Sequence, residues 1–207
     1  EPELIYQTIS SALTLTKSET ILITSGGTCE PIDEIRSITN FSSGTTGSKI
    51  TEQLARSGFQ VIYLHSVTAK LPQTPCEKIT FTDFKVLSSK MLDILNSRKI
   101  TAVVHAAAVS DYSPVKSEGK ISSDNEELHL TLKRNPKIVD QIKEWSINKN
   151  IKLIAFKMTA HADEAGINTS VQKLAKRSQA DLVVHNDLDG ILSGQHQFNI
   201  YANNLQK

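Results

Sequence analysis

The sequence predicts a doubly wound α/β fold built on a mostly parallel sheet. Three observations carry that expectation. Short runs that are apolar at nearly every position recur along the chain, as strands buried on both faces do. Between them lie segments whose apolar residues repeat with helical spacing. Two stretches, residues 126–133 and 197–204, break this alternation and read as strands outside the parallel core.

Residues 1–19 are mixed: Leu4, Ile5, Ile9, Leu13 and Leu15 line one face of a short helix, weakened by Thr and Ser. ILITS (21–25) is a short strand that ends in GGT. SKITEQLARSG (48–58) has apolar residues at 50, 54 and 55 and stops at Gly58, a suitable helix C-terminus. QVIYLH (60–65) is a second strand, and FKVLSSKMLDILNSR (84–98) has helical spacing through Val86, Leu87, Met91, Leu92, Ile94 and Leu95. TAVVHAAAV (101–109) is fully apolar and reads as a third strand. Residues 136–147 are helical, with Pro136 near the first turn. IKLIAF (151–156), the helix over 168–179 and DLVVHN (181–186) complete the series. EELHLTLK (126–133) alternates strictly, with Leu128, Leu130 and Leu132 on one side, and predicts a half-buried antiparallel strand. QFNIYANN (197–204) predicts a final strand, with no closing helix after it.

At 207 residues the chain predicts one domain over 1–207, large enough to bury a full core. Its net charge of +1 gives no electrostatic case for nucleic acid or an acidic membrane surface. No apolar run approaches the roughly 20 residues of a membrane span, and no signal-peptide pattern opens the chain. Cys29 and Cys76 lack metal spacing. Two free thiols fit a reducing compartment, and hence the cytoplasm, with a single disulfide as the alternative. A start at Glu1 without methionine reads as a fragment or a processed chain.

Open α/β sheets bind ligands at the carboxyl ends of their strands. Gly26, Gly27 and Thr28 follow the first strand, and SSGTTG (42–47) precedes the next helix. Glycines let backbone N–H groups approach an anion, and a helix N-terminus adds a favourable dipole. Two such clusters ahead of one helix point to phosphate, against the plainer reading of two tight turns. A dinucleotide fingerprint is not met. The match Ser42-x-Gly44-x-x-Gly47 lies well past the first strand, and the second strand ends YLHS with no ribose-holding acid. Tyr112 and Lys116 have the spacing of a short-chain reductase pair, but Pro114 breaks the helix that pair needs. Ser110 and Asp111, at the end of the third strand, face the expected cleft. His105, inside an apolar strand, reads as a packed histidine, and Arg134-Asn135-Pro136 as a possible helix cap.

In this order, ITSGGTCEPID (23–33), IRSITNFSSGTTG (35–47), AAAVSDYSP (106–114), GKI (119–121) with ELHLTLKRNPKI (127–138), IAFKM (154–158) and LVVHNDL (182–188) resemble the phosphopantothenate–cysteine ligase family. The resemblance runs from about residue 21 to the end. It implies a Rossmann-like sheet, a homodimer, and a projecting antiparallel strand pair on an arm around 113–135. It also implies the reaction: 4′-phosphopantothenate is activated by CTP or ATP with Mg²⁺ as an acyl-nucleotide, which L-cysteine then attacks. CTP is favoured, because the short form looks bacterial.

The roles it implies are residue by residue. Asn40 would hold the acyl group, and Lys120, on a mobile loop, would neutralise the triphosphate. Gly26, Gly27, Thr28, Arg36, Ser43, Gly44 and Thr45 would hold substrate, with Arg36 on phosphate or in a helping contact to the loop of its own motif, the one that carries Asn40. Ala107, Ala108, Asp111, Phe156, Lys157 and Asn186 would line the nucleotide, and Asp111 is the metal candidate. The chain departs from the family pattern in places. Ser122 and Ser123 stand where further lysines are frequent, Thr159 lies near the place of a family glutamate, and Cys29 replaces a common arginine. In some bacteria the family's activity is fused behind a flavin-dependent decarboxylase; the sequence here reads as a stand-alone ligase or as an excised half. A non-catalytic binding relative and an NAD(P)-dependent reductase are the alternative functions.

Overall fold

The computed structural model describes residues 2–12, 17–192 and 198–202. In chain order the elements are α1 (Pro2–Ala12), β1 (Thr20–Ser25), β2 (Cys29–Pro31), β3 (Ser37–Thr39), α2 (Thr45–Arg56), β4 (Gln60–Ser66), β5 (Glu77–Phe81), α3 (Phe84–Ser97), β6 (Ala102–His105), β7 (Tyr112–Pro114), β8 (Leu132–Arg134), α4 (Ile138–Trp145), β9 (Lys152–Thr159), α5 (Glu164–Ser178), β10 (Leu182–Asp187), α6 (Leu188–Leu192) and β11 (Asn199–Ala202). Seven strands form one sheet in the order β11-β10-β9-β6-β1-β4-β5. All neighbours run parallel except β11, which pairs antiparallel with β10. Leaving β11 aside, the six parallel strands have the doubly wound order 3-2-1-4-5-6.

The apolar runs are explained by burial on both faces. Leu22, Ile62, Leu64, Val103, Leu153 and Val183 point to the side covered by α3, α4 and α5. Ile21, Ile23, Val61, Tyr63, Val104, Ile154 and Val184 point to the other, where Ile5 and Ile9 of α1 and Ile50 and Leu54 of α2 meet them. The N-terminal helix expected from Ile5 and Ile9 is therefore present; Leu13 and Leu15 lie outside the described residues. Cys29 and Cys76 are free thiols, so the single disulfide does not form. Among the described residues no helix is long and apolar enough to cross a membrane.

Several boundaries differ from the sequence expectation for local reasons. Helix α5 starts at Glu164 rather than 168, because Asp163 accepts from the Gly166 N–H and caps it. Strand β6 stops at His105 rather than 109. The next residues bond sideways to the loop after β1: Ala108 N–H donates to Gly26 O at 2.9 Å, and Thr28 N–H to Ala108 O at 3.1 Å. The edge strand β5 was not anticipated; four of its five residues are exposed or half-exposed, which removes the apolar run.

The expectation for 126–133 is corrected. Only Leu132–Arg134 is a strand, antiparallel to Tyr112–Pro114. Leu128, Leu130 and Leu132 are not half-buried against this chain but remain 47%, 37% and 45% exposed, since the arm projects and no core lies beneath it. A second small antiparallel pair, β2 with β3, stands beside the sheet.

Candidate functional site

Strands β1 and β6 lie side by side at the centre of the sheet. The helices that follow them pack on opposite faces, α2 on one and α4 on the other. This is the topological switch point, and a crevice opens outside the carboxyl ends there. It is an open cleft of about 1610 Å³, walled by residues 40–47, 105–111, 136–139 and 156–158, with Asn186 and Asn199 at the far side.

Of the residues singled out from the sequence, Asn40, Ser43, Gly44, Thr45, Ala107, Ala108, Asp111, Phe156, Lys157 and Asn186 line this one cleft. Asn40 is exposed, and its Nδ2 donates to Ala108 O at 3.1 Å. Gly27 makes that position possible: a Cβ there would stand 2.4 Å from the Asn40 carbonyl oxygen. Gly44 sits at φ +70, and a Cβ on it would meet Ala69 Cβ at 2.7 Å. This left-handed turn opens α2, which has no side-chain cap. Thr45, Thr46 and Gly47 of its first turn line the cleft, the Thr45 N–H making only a long contact of 3.4 Å to Ser43 Oγ, so the helix end offers a favourable dipole for anions there.

The first glycine cluster is placed differently from the sequence expectation. Gly26, Gly27 and Thr28 are buried and do not line the cleft. Thr28 Oγ1 accepts from Ser110 N–H at 3.0 Å, so the cluster locks the two strand-end loops together from behind. Arg36 and Lys120 also lie off the cleft wall. Arg36 pairs with Asp33 at 2.9 Å and donates to the Ile121 carbonyl, which ties the arm to the β2–β3 hairpin. Asp33 also accepts from Ile121 N–H at 3.1 Å. Backbone N–H groups, Ile35 foremost, push its carboxyl down to about 2. Lys120 is exposed on the arm next to this tie.

Three features escaped the sequence reading. Lys137, just past Asn135-Pro136, lines the cleft and pairs with Asp111. Asn135 is not a helix cap: its Nδ2 donates to Ser110 O at 2.9 Å and fixes the base of the arm. His105 is buried, as expected of a packed ring, yet it forms part of the cleft floor. Its Nδ1 lies 2.9 Å from Thr24 Oγ1, and burial pushes its pKa down to about 4. The signal that would have found Lys137 is a cation two residues past the arm, matched by the acid Asp111 in the segment that follows β6.

Tyr112 lies on a strand, not on a helix shared with Lys116, so the reductase geometry is absent. Thr159, near the place of the family glutamate, has a carboxylate beside it from the next strand: its hydroxyl donates to Asp187 Oδ2 at 2.5 Å. Among the described residues no group of three or more His, Cys, Asp or Glu is arranged to hold a metal. Asp111, 59% exposed at the cleft edge, fits a Mg²⁺ whose other ligands come from phosphate and water, the usual arrangement for that ion.

Known proteins resemble this chain in sequence and in fold. The family described as DNA/pantothenate metabolism flavoprotein C-terminal domain matches residues 16–206. The coenzyme A biosynthesis bifunctional protein CoaBC of Methanocaldococcus jannaschii is 32% identical over 186 residues, covering 87% of this chain and 43% of the relative. The chain spans about half the length of the curated relatives it matches. The crystal structure of the DNA/pantothenate metabolism flavoprotein from Streptococcus pneumoniae matches with a TM-score of 0.78 at 32% identity, covering 89% of this chain and 93% of that one. A Cab2 mutant solved as a complex with phosphopantothenate-cysteine has the same fold, with a TM-score of 0.78 at 21% identity, covering 99% of this chain and 83% of that one.

Proposed function

The chain belongs to the DNA/pantothenate metabolism flavoprotein C-terminal domain family, and from that premise we propose that it is a phosphopantothenate–cysteine ligase of coenzyme A biosynthesis. The observation that carries this reading is the convergence of Asn40, the mouth of α2 and the strand-end segments 107–111 and 156–157 on one cleft at the switch point. A carboxylate is a poor electrophile and must first be activated. One carboxylate oxygen of 4′-phosphopantothenate attacks the α-phosphorus of a nucleoside triphosphate, and pyrophosphate leaves. The amine of L-cysteine then attacks the acyl carbon, the nucleoside monophosphate leaves, and a proton is lost as the amide forms.

The obstacle is charge, because an anion must reach a polyanion. Asn40 is a neutral donor on the cleft wall; it suits a carboxylate first and an anhydride carbonyl afterwards. The open N–H groups of α2 suit a phosphate. Ala107 and Ala108 leave room for base and ribose against the strand end, with Phe156 and Asn186 opposite. Lys157, half-buried on the wall, and Lys120, brought over by the arm, would offset the triphosphate charge. Mg²⁺, held by Asp111 and the phosphates, would supply Lewis-acid charge neutralisation. CTP is the favoured nucleotide. The exposed leucines of the arm support a homodimer, in which a second copy covers them.

The test is incubation with 4′-phosphopantothenate, Mg²⁺ and either CTP or ATP, without cysteine. Pyrophosphate and a mass equal to the acyl-nucleotide are expected, with CTP the better substrate. Tight substrate binding with no pyrophosphate would instead identify a non-catalytic relative. Neither binding nor product would overturn the reading.

A further inference from the structure

We propose that His105 is a further catalytic residue of this cleft, whose Nε2–H donates to a non-bridging oxygen of the α-phosphoryl group as the acyl-nucleotide forms. The inference rests on the ligase reading for the identity of the ligand, but its geometry is independent of it.

His105 is the last residue of β6 and is in register with Thr24 of β1, so it closes the floor of the crevice between the two switch-point strands. It is 7% exposed, and what remains open faces the cleft.

The proton is placed by satisfying a buried hydroxyl. Thr24 is fully buried, and its Oγ1 accepts from Ala107 N–H at 3.2 Å. Its own proton has one acceptor among the described residues, His105 Nδ1 at 2.9 Å. A buried O–H left without an acceptor is costly, so Thr24 donates and Nδ1 accepts. Neutral imidazole then carries its hydrogen on Nε2. That N–H has no acceptor among the described residues, and the atom is not sealed from solvent.

The chemistry needs such a group. Attack of a carboxylate on phosphorus adds negative charge to the non-bridging oxygens. A donor fixed in a low-dielectric floor stabilises that charge without reorganising. Burial pushes the pKa of the ring down to about 4, so in the cleft without ligand the ring is uncharged at neutral pH and Nε2 carries a neutral N–H.

Three variants test it in the cysteine-free assay. H105L removes both nitrogens and is expected to lower kcat by about 10²–10³, the effect of deleting one oxyanion donor, with KM little changed. H105Q places an amide N–H near the Nε2 position and is expected to recover much of the loss. H105N keeps only the side facing Thr24 and is expected not to. H105L within a few-fold of the wild type, or rescue by Asn rather than Gln, would overturn the proposal. An absence of anhydride with the wild-type protein is a failure of the ligase reading instead. In that case, or if the variants do not fold, ¹⁵N NMR of the wild-type imidazole decides. The Nε2–H tautomer, shifting on addition of CTP with Mg²⁺, supports the donor; the Nδ1–H tautomer, or a resonance unmoved by saturating nucleotide, refutes it.

Discussion

Asn40 stands on the wall of the cleft with its side-chain amide on Ala108 O, and with Gly27 beneath it because nothing larger fits. Its exchange for alanine removes a donor without filling space. N40A is expected to lower kcat for acyl-nucleotide formation by about 10²–10³, with a smaller change in KM, as for loss of one such donor. Normal turnover would remove Asn40 from the chemistry. Lys120 carries an exposed charge on the arm beside its tie to the β2–β3 hairpin, so K120A is expected to slow pyrophosphate release, and an unchanged rate would exclude that role. Asp33 is a different kind of residue, one that holds structure. Its folded pKa is depressed, from 3.8 to about 2, so the carboxylate stabilises the fold fully above pH 4. That contribution is lost as pH falls through about 4 toward about 2. D33N is therefore expected to be less stable than the wild type at pH 7, with the gap narrowing below pH 4. Equal stability at neutral pH would mean that the tie to Arg36 and Ile121 contributes nothing.

Elements are held to the site by a few special backbone positions. The turn into α2 depends on Gly44, whose φ of +70 and close approach to Ala69 leave no room for a side chain. G44A is expected to destabilise the protein by about 1–3 kcal/mol. Thermal unfolding would show this as roughly 2–4 °C per kcal/mol for a chain of this length, and an unchanged Tm would refute the strain. The apolar strands and the long helices were legible because each carries its own periodicity. Edge strand β5 was not, since half of it faces solvent and its residues do not repeat. The arm misled for a related reason. Alternating leucines say that one side of a strand is covered, but not by what, and here this chain does not cover them.

At the scale of the whole molecule, that uncovered arm bears on assembly. If a second copy covers it, the mass in solution is twice the 22.8 kDa of the chain, and L130D reduces it to one copy. A wild-type monomer by light scattering would refute the dimer. The fold class and the family were determined by the sequence itself, because strand periodicity and ordered motifs are local and survive being read along a line. The cleft was half legible: Asn40, the mouth of α2 and the ends of β6 and β9 could be named from their motifs. The tertiary structure decided the rest. It moved Gly26, Gly27 and Thr28 behind the wall, tied Arg36 of the β2–β3 hairpin to the arm, brought Lys137 to Asp111, and turned a core histidine into the cleft floor. Each of these depends on which strand lies beside which. Contacts of that kind join residues far apart in the chain, and no spacing along it records them.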